Sequence, residues 1–134
     1  MKKLALVLIL TVSVLFSSTC WGEWTRVARS GSGQDIYYLD FEKIKERKGL
    51  IYFQKLSDHL KPLRMGAYSS VNLVVIDCEK FLMKPLKWLG FEQSMGNGKV
   101  LSTDNMSKYT WVTPAPTSAW EIVSNKVCDF VGKK

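Results

Sequence analysis

The chain offers few side chains that could do chemistry: among its 134 residues are one histidine and three cysteines. His59 directly follows Asp58, and the hydroxyl pair Ser69-Ser70 lies further along, so the parts of a Ser–His–Asp hydrolase are present by type. A triad needs geometry that spacing does not supply, and a single histidine in a polar stretch is ordinarily solvated, so the expectation is a noncatalytic protein. Asp35 and Asp40 could flank a sugar bond, but they fit better as residues marking strand ends. Met95-Gly96-Asn97-Gly98 lacks the following helix and the lysine–serine pair of a phosphate-cradling loop and reads as a β-turn. One histidine and scattered carboxylates are a poor ligand set for a metal, so no catalytic residue, metal or cofactor is expected.

The cysteines say more once export is considered. Lys2-Lys3, the apolar run Leu4 to Phe16 and the small residues Ser17, Ser18 and Thr19 have the order of a signal peptide over residues 1–22. The apolar run is too short to span a bilayer, and no other segment approaches the ~20 apolar residues required, so no transmembrane helix is expected in the mature chain. Cleavage after Gly22 leaves Glu23 first. The alternative is a lipoprotein cut before Cys20, where Thr19 stands in place of the usual Gly or Ala. Loss of Cys20 leaves Cys78 and Cys128, an even number suited to an oxidising compartment, and a disulfide between them would cost the unfolded chain about 4 kcal/mol of entropy. In a cytosolic protein the same two residues would read as buried thiols.

About 110 residues then remain, enough for one domain over residues 23–134. Lys2 and Lys3 leave with the signal peptide, so the formal charge of +7 falls by two. The densest basic cluster, Lys43-Ile44-Lys45-Glu46-Arg47-Lys48, is interrupted by acid and reads as a solvated turn, which argues against nucleic acid as partner.

The elements that must hold these residues are mostly strands. Trp24 to Ala28 alternates apolar with polar, Asp35 to Phe41 and Leu50 to Leu56 are rich in aromatic and β-branched side chains, and Gly66 to Cys78 is the longest extended stretch. Within that stretch Val74, Ile76 and Cys78 share one face, and Leu73 and Val75 share the other. Leu82 to Phe91 continues with Pro85 near its start, a sign of an edge or a bulge, and Lys99 to Ser102 runs out again. Asp58 to Arg64 is expected as a polar loop. Pro114 and Pro116 stop strand propagation, Ser118 and Glu121 have the spacing of a helix cap, and the helix expected to end near Val131 would turn Ala119, Ile122, Val123, Val127 and Phe130 toward the sheet. Cys128 lies to the side of that stripe. The fold class is α+β: an antiparallel sheet of about six strands with one C-terminal helix on one face, tied by the disulfide.

Trp24, Tyr37-Tyr38-Leu39-Asp40 with Ile44, Tyr68-Ser69-Ser70 ahead of Asp77-Cys78, Met95-Gly96-Asn97-Gly98-Lys99-Val100, Trp111 before Pro114, and Cys128 in a closing helix occur in an order that resembles the bacterial surface-adhesin protein E-like domain family. The resemblance covers most of the mature chain. It implies a six-stranded antiparallel sheet, a C-terminal helix tied to the concave face by a disulfide, and binding of host vitronectin, laminin and plasminogen. Two features depart from the family pattern: Pro114-Ala115-Pro116-Thr117-Ser118 replaces Pro-Gly-Ser or Pro-Gly-Thr before the helix, and Pro85 interrupts a strand that is commonly unbroken.

The expectation is an exported, noncatalytic protein of the cell envelope, in the periplasm or at the cell surface, binding a protein partner such as a host matrix or serum protein. A periplasmic inhibitor or assembly factor is the alternative, and a second copy of the chain is another candidate partner. The binding residues expected are Leu73 and Val75 on the face away from the helix, Tyr37 or Tyr38 according to register, and Lys43, Lys45, Arg47 and Lys48 as a basic rim. Mass spectrometry of the exported protein should find an unmodified N-terminus at Glu23; a diacylglyceryl adduct on Cys20 would instead place it on a membrane leaflet.

Overall fold

Alternating runs of β-branched and aromatic residues form the strands, and Gly, Ser and Asn between them supply the turns. The computed structural model describes residues 23–132, so the leader expected over residues 1–22, Cys20 included, lies outside the described range. In chain order the elements are β1 (Thr25–Arg29), β2 (Asp35–Leu39), β3 (Lys45–Arg47), β4 (Leu50–His59), β5 (Ser69–Asp77), β6 (Leu82–Phe91), β7 (Val100–Asn105) and α1 (Ala119–Phe130). They form one antiparallel sheet in the order β1-β2-β4-β5-β6-β7, with β3 pairing β4 beyond the end of β2. The expected α+β architecture is present, with one strand more than anticipated.

That strand comes from the Lys43 to Lys48 segment, which is not simply a turn. Asp40 accepts a hydrogen bond from the Glu42 amide and starts a 3-10 turn at Phe41–Lys43, after which Lys45–Arg47 pair with Leu50–Tyr52. The reversal between them is made by Lys48 and Gly49, both at positive φ. β4 also runs past Leu56 to His59, because Asp35–Tyr37 on one side and Ser69–Ser70 on the other supply ladder partners for its polar end. A residue expected in a solvated loop is therefore held inside a strand. Near Pro85 the expected bulge is present: Leu73 pairs with Lys87 and Val74 with Pro85, which leaves Leu86 as the extra residue.

Ser118 caps α1 by accepting from the Glu121 amide at 3.2 Å, while the Glu121 carboxylate reaches back to the Thr117 amide at 3.4 Å. The helix buries Val123, Ser124, Val127 and Cys128, whereas Ile122 and Phe130, assigned to the sheet side by periodicity, are 42% and 56% exposed. Periodicity thus misjudged the rotation of the helix. A covalent bridge outweighs the preference of two apolar side chains: Cys78 and Cys128 are joined, with Cα atoms 5.7 Å apart and both residues buried. Turning Cys128 onto the sheet brings Ser124 with it, where its hydroxyl donates to the Met83 sulfur at 3.9 Å. Phe130 recovers a partner at the margin, its ring centroid 5.1 Å from that of Phe41. Under the helix Leu39, Ile51, Phe53, Val74, Ile76 and Met83 complete the core.

Cys128→Ser should lower the melting temperature by ~10 °C or more, from the loss of about 2–5 kcal/mol. Calorimetry checks the size, and thiol titration of the unfolded wild type should find neither Cys78 nor Cys128 free.

Candidate functional site

Strand alternation places every second residue of β4 beneath the helix, and that row changes character along its length. Ile51 and Phe53 are core; the next three in the same phase are Lys55, Ser57 and His59. Across the ladders stand Asn72 and Ser70 on β5 and Asp35 and Tyr37 on β2. Lys55, Ser57, His59, Ser70 and Asn72 are all buried although all are polar. They line a pocket of about 460 Å³ whose apolar walls include Trp88, Trp120, Met106 and Tyr109. Gly90 shapes one side of it: a Cβ there would lie 2.7 Å from the Trp88 ring, so only glycine leaves room for the indole to lie against the strand.

Three of these side chains form a relay. The His59 ring donates from Nδ1 to Asp35 Oδ1 at 2.6 Å, and its Nε2 is hydrogen-bonded with the Ser70 hydroxyl at 3.1 Å. The order is that of a hydrolase triad, but its members differ from the pairing suggested by adjacency. Asp58 and Ser69, the sequence neighbours of His59 and Ser70, point to the opposite face, where Asp58 accepts from the Met95 amide and Ser69 from the Gly96 amide. Asp35 reaches His59 as its cross-strand partner. Asp40 stands apart, buried as the cap of the turn after β2, so the two carboxylates do not form a pair across a substrate. Ser70 sits on a central strand whose amides are spent on β4 and β6, so no pair of backbone donors flanks it to hold an oxyanion. As arranged, the relay fixes the imidazole and the Ser70 hydroxyl in place.

Lys55 is the second unusual group. Its Nζ lies 4.4 Å from the centroid of the Tyr37 ring and 4.0 Å from that of Trp120, and it makes no ion pair among the described residues. Burial lowers its pKa from 10.5 to about 7, with the Asp35 charge opposing the shift. Burial, with Asp35 adding to it, raises the Tyr37 phenol. Ser57, two residues along β4 from Lys55, and Asn72, the partner of Lys55 on β5, have no side-chain hydrogen-bond partner among the described residues, and their polar atoms keep their access to the pocket. Adjacency in sequence did not reveal this group. The available signal was phase: Lys55, Ser57 and His59 continue the inward row of Ile51 and Phe53.

The family model for surface-adhesin protein E matches residues 24–129. The chain belongs to this family. Solved structures of the same fold include those of Haemophilus influenzae protein E. One crystal form aligns with a TM-score of 0.61 at 16% identity over 81% of this chain and 91% of that one. A second structure of protein E gives 0.61 at 14% identity over 84% and 88%, and protein E from non-typeable Haemophilus influenzae gives 0.60 at 15% over 86% and 81%. At such identities the likeness is one of fold. No curated protein matches the chain. Among the described residues no helix is long and apolar enough to cross a membrane, and no cluster of three potential ligands could hold a metal.

The residues expected to bind are divided between the two faces of this adhesin-family sheet. Tyr37 faces the pocket under the helix, whereas Tyr38, the partner of Leu56, faces the other way with Leu73. Leu73 borders two adjoining depressions of about 400 and 360 Å³; Trp24 and Phe91 help to line the first, Tyr52 and Lys45 the second, and Lys43 and Gln54 both. Arg47 and Lys48 are exposed on the β3–β4 hairpin. Val75 does not offer itself to a partner: at 3% exposure it is buried among its cross-strand neighbours Tyr52 and Lys84.

Because the folded chain gives up the Lys55 proton near pH 7 and the unfolded chain near 10.5, the unfolded state holds the extra proton between these values. Stability therefore rises with pH across that window, by at most about 1.4 kcal/mol per unit. Lys55→Met should be more stable than wild type below pH 7 and should lose that advantage toward pH 10, as measured by urea unfolding at a series of pH values.

Proposed function

We propose that the protein is exported and acts in the cell envelope as a noncatalytic adhesin that binds a host matrix or serum protein through the face of the sheet opposite α1. Family membership supports the adhesin role, and the surface itself supports the location. The observation that carries it is the pair of depressions meeting at Leu73, with Trp24, Tyr52 and Phe91 as aromatic lining and Lys43 and Lys45 at their border. Aromatic side chains in concave, partly dry sites are the usual anchors of a protein interface, and lysines at the rim steer an acidic partner toward it. Tyr38 and the exposed hairpin residues Arg47 and Lys48 extend the same surface; Val75 supports it from below.

Surface plasmon resonance of the mature chain on immobilised vitronectin, laminin and plasminogen tests the reading. Leu73→Glu combined with Lys45→Glu should weaken binding at least tenfold with little change in melting temperature, since one residue is half-buried and the other exposed. Binding to none of the three, or equal binding by the variant, would count against this surface. Protease access to the protein on intact cells separates an adhesin from a protein working in the periplasm.

A further inference from the structure

The pocket under the open end of α1 is on the other face from the one proposed for a protein partner, and its chemistry is different. Five buried polar side chains surround one end of it, and two of them, Ser57 and Asn72, have no partner of their own. Buried hydroxyl and amide groups are normally satisfied, so a pair left open toward a cavity is a pair of sites awaiting a ligand atom. Next to both stands Lys55, an ammonium with no carboxylate in contact and the rings of Tyr37 and Trp120 against it. Such a cation attracts an anion strongly, because water is largely excluded from it.

We propose that this pocket binds a small organic monoanion, a carboxylate on an apolar or aromatic body, with Lys55, Ser57 and Asn72 receiving the carboxylate and Trp88, Trp120 and Tyr109 enclosing the body. The single charge follows from the local balance. Asp35, held by His59, already contributes a negative charge near Lys55, so a dianion such as a phosphate monoester would meet one cation and one opposing carboxylate. The body follows from the walls, where Met83, Pro85, Met106 and Val112 join the aromatic residues. A volume of about 460 Å³ is within the ordinary range for a small-molecule site. Ser70 and His59 are satisfied by one another and by Asp35, and so serve as the fixed wall behind the carboxylate rather than as its main donors.

Binding of this kind is coupled to a proton. In the empty pocket burial brings Lys55 to about 7, and an arriving carboxylate restores its charge. The titratable groups facing Lys55 and its pocket are Asp35 and Tyr37 from β2, His59 from β4 and Tyr109 from the segment after β7. Above pH 7 the complex must take up a proton, and affinity falls by up to about tenfold per pH unit.

The test is isothermal titration calorimetry of the mature chain with decanoate, indole-3-acetate and N-acetyl-Ala-Phe, and with the neutral analogues decanol, indole-3-ethanol and N-acetyl-Ala-Phe amide. At least one carboxylate should bind at least tenfold more tightly than its neutral analogue, and which one binds tells an aliphatic, an aromatic or a peptide source apart. In buffers of different ionisation enthalpy, proton uptake should approach one per ligand at pH 8.5 and fall toward zero at pH 6. Lys55→Met should remove both the preference for the acid and the uptake, whereas His59→Asn should keep the uptake. Asn72→Ala, which retains the Lys55 charge, should weaken acid binding and leave the uptake in place. Binding of no carboxylate, equal binding of acid and neutral analogue, or uptake unchanged in Lys55→Met would overturn the proposal.

Discussion

The bridge between Cys78 and Cys128 decides which half of the sheet becomes core. A helix of twelve residues is about 18 Å long, whereas the ten residues of β4 extend over about 33 Å, so α1 cannot cover β4 from end to end. Cys78 follows the last residue of β5 and Cys128 lies near the end of α1, so joining them draws the helix to the Ile51, Ile76 and Met83 end. The rows at that end are apolar and closely covered. At the other end the rows through Lys55 and Ser57 receive only Trp120, from the first turn of α1, and the side chains there are free to be polar.

Much of this was legible in the residues. Alternation located most of the strands, the proline-rich stretch and Ser118 located the helix, and the even cysteine count after export joined Cys78 to Cys128. What failed did so for physical reasons that can be named. The most hydrophobic stripe predicts one helix phase, but a covalent tether with Cys128 on one side imposes a rotation that exposes Ile122 and Phe130. The polar neighbours of His59 in sequence predict a solvated side chain, yet ladder pairing to β2 and β5 keeps a strand together regardless of side-chain polarity. Asp35 reaches His59 across a hydrogen-bonded ladder, a relation between residues distant in sequence. Lys55 went unnoticed since a lysine in a strand is normally taken to face water, and only its phase with Phe53 indicated otherwise.

The two faces also differ in how they hold charge. Lys43 lies at the edge of the open face, where mobile ions screen it beyond about 8 Å at physiological salt. Lys55 is enclosed by rings and backbone, so salt does little to weaken the field it exerts within its pocket. One face thus has its long-range attraction set by the medium, and the other carries a local attraction set by the fold.

The bulge at Leu86 determines more than the shape of β6. Pro85 and Trp88 are separated by an odd number of positions, which in a regular strand would send them to opposite faces; with Leu86 outside the count, both lie on the side of the helix, opposite Val74 and Asn72. The bulge therefore works as a parity switch. Trp88 owes its place in the pocket wall to the number of residues before it as much as to its own chemistry. Deleting Leu86 would close the bulge and leave Pro85 and Trp88 on one face, whereas drawing Leu86 into a regular ladder would turn Trp88 outward while every side chain kept its identity. In this family member it is the exclusion of one residue from the ladder, more than the type of that residue, that decides which face Trp88 takes.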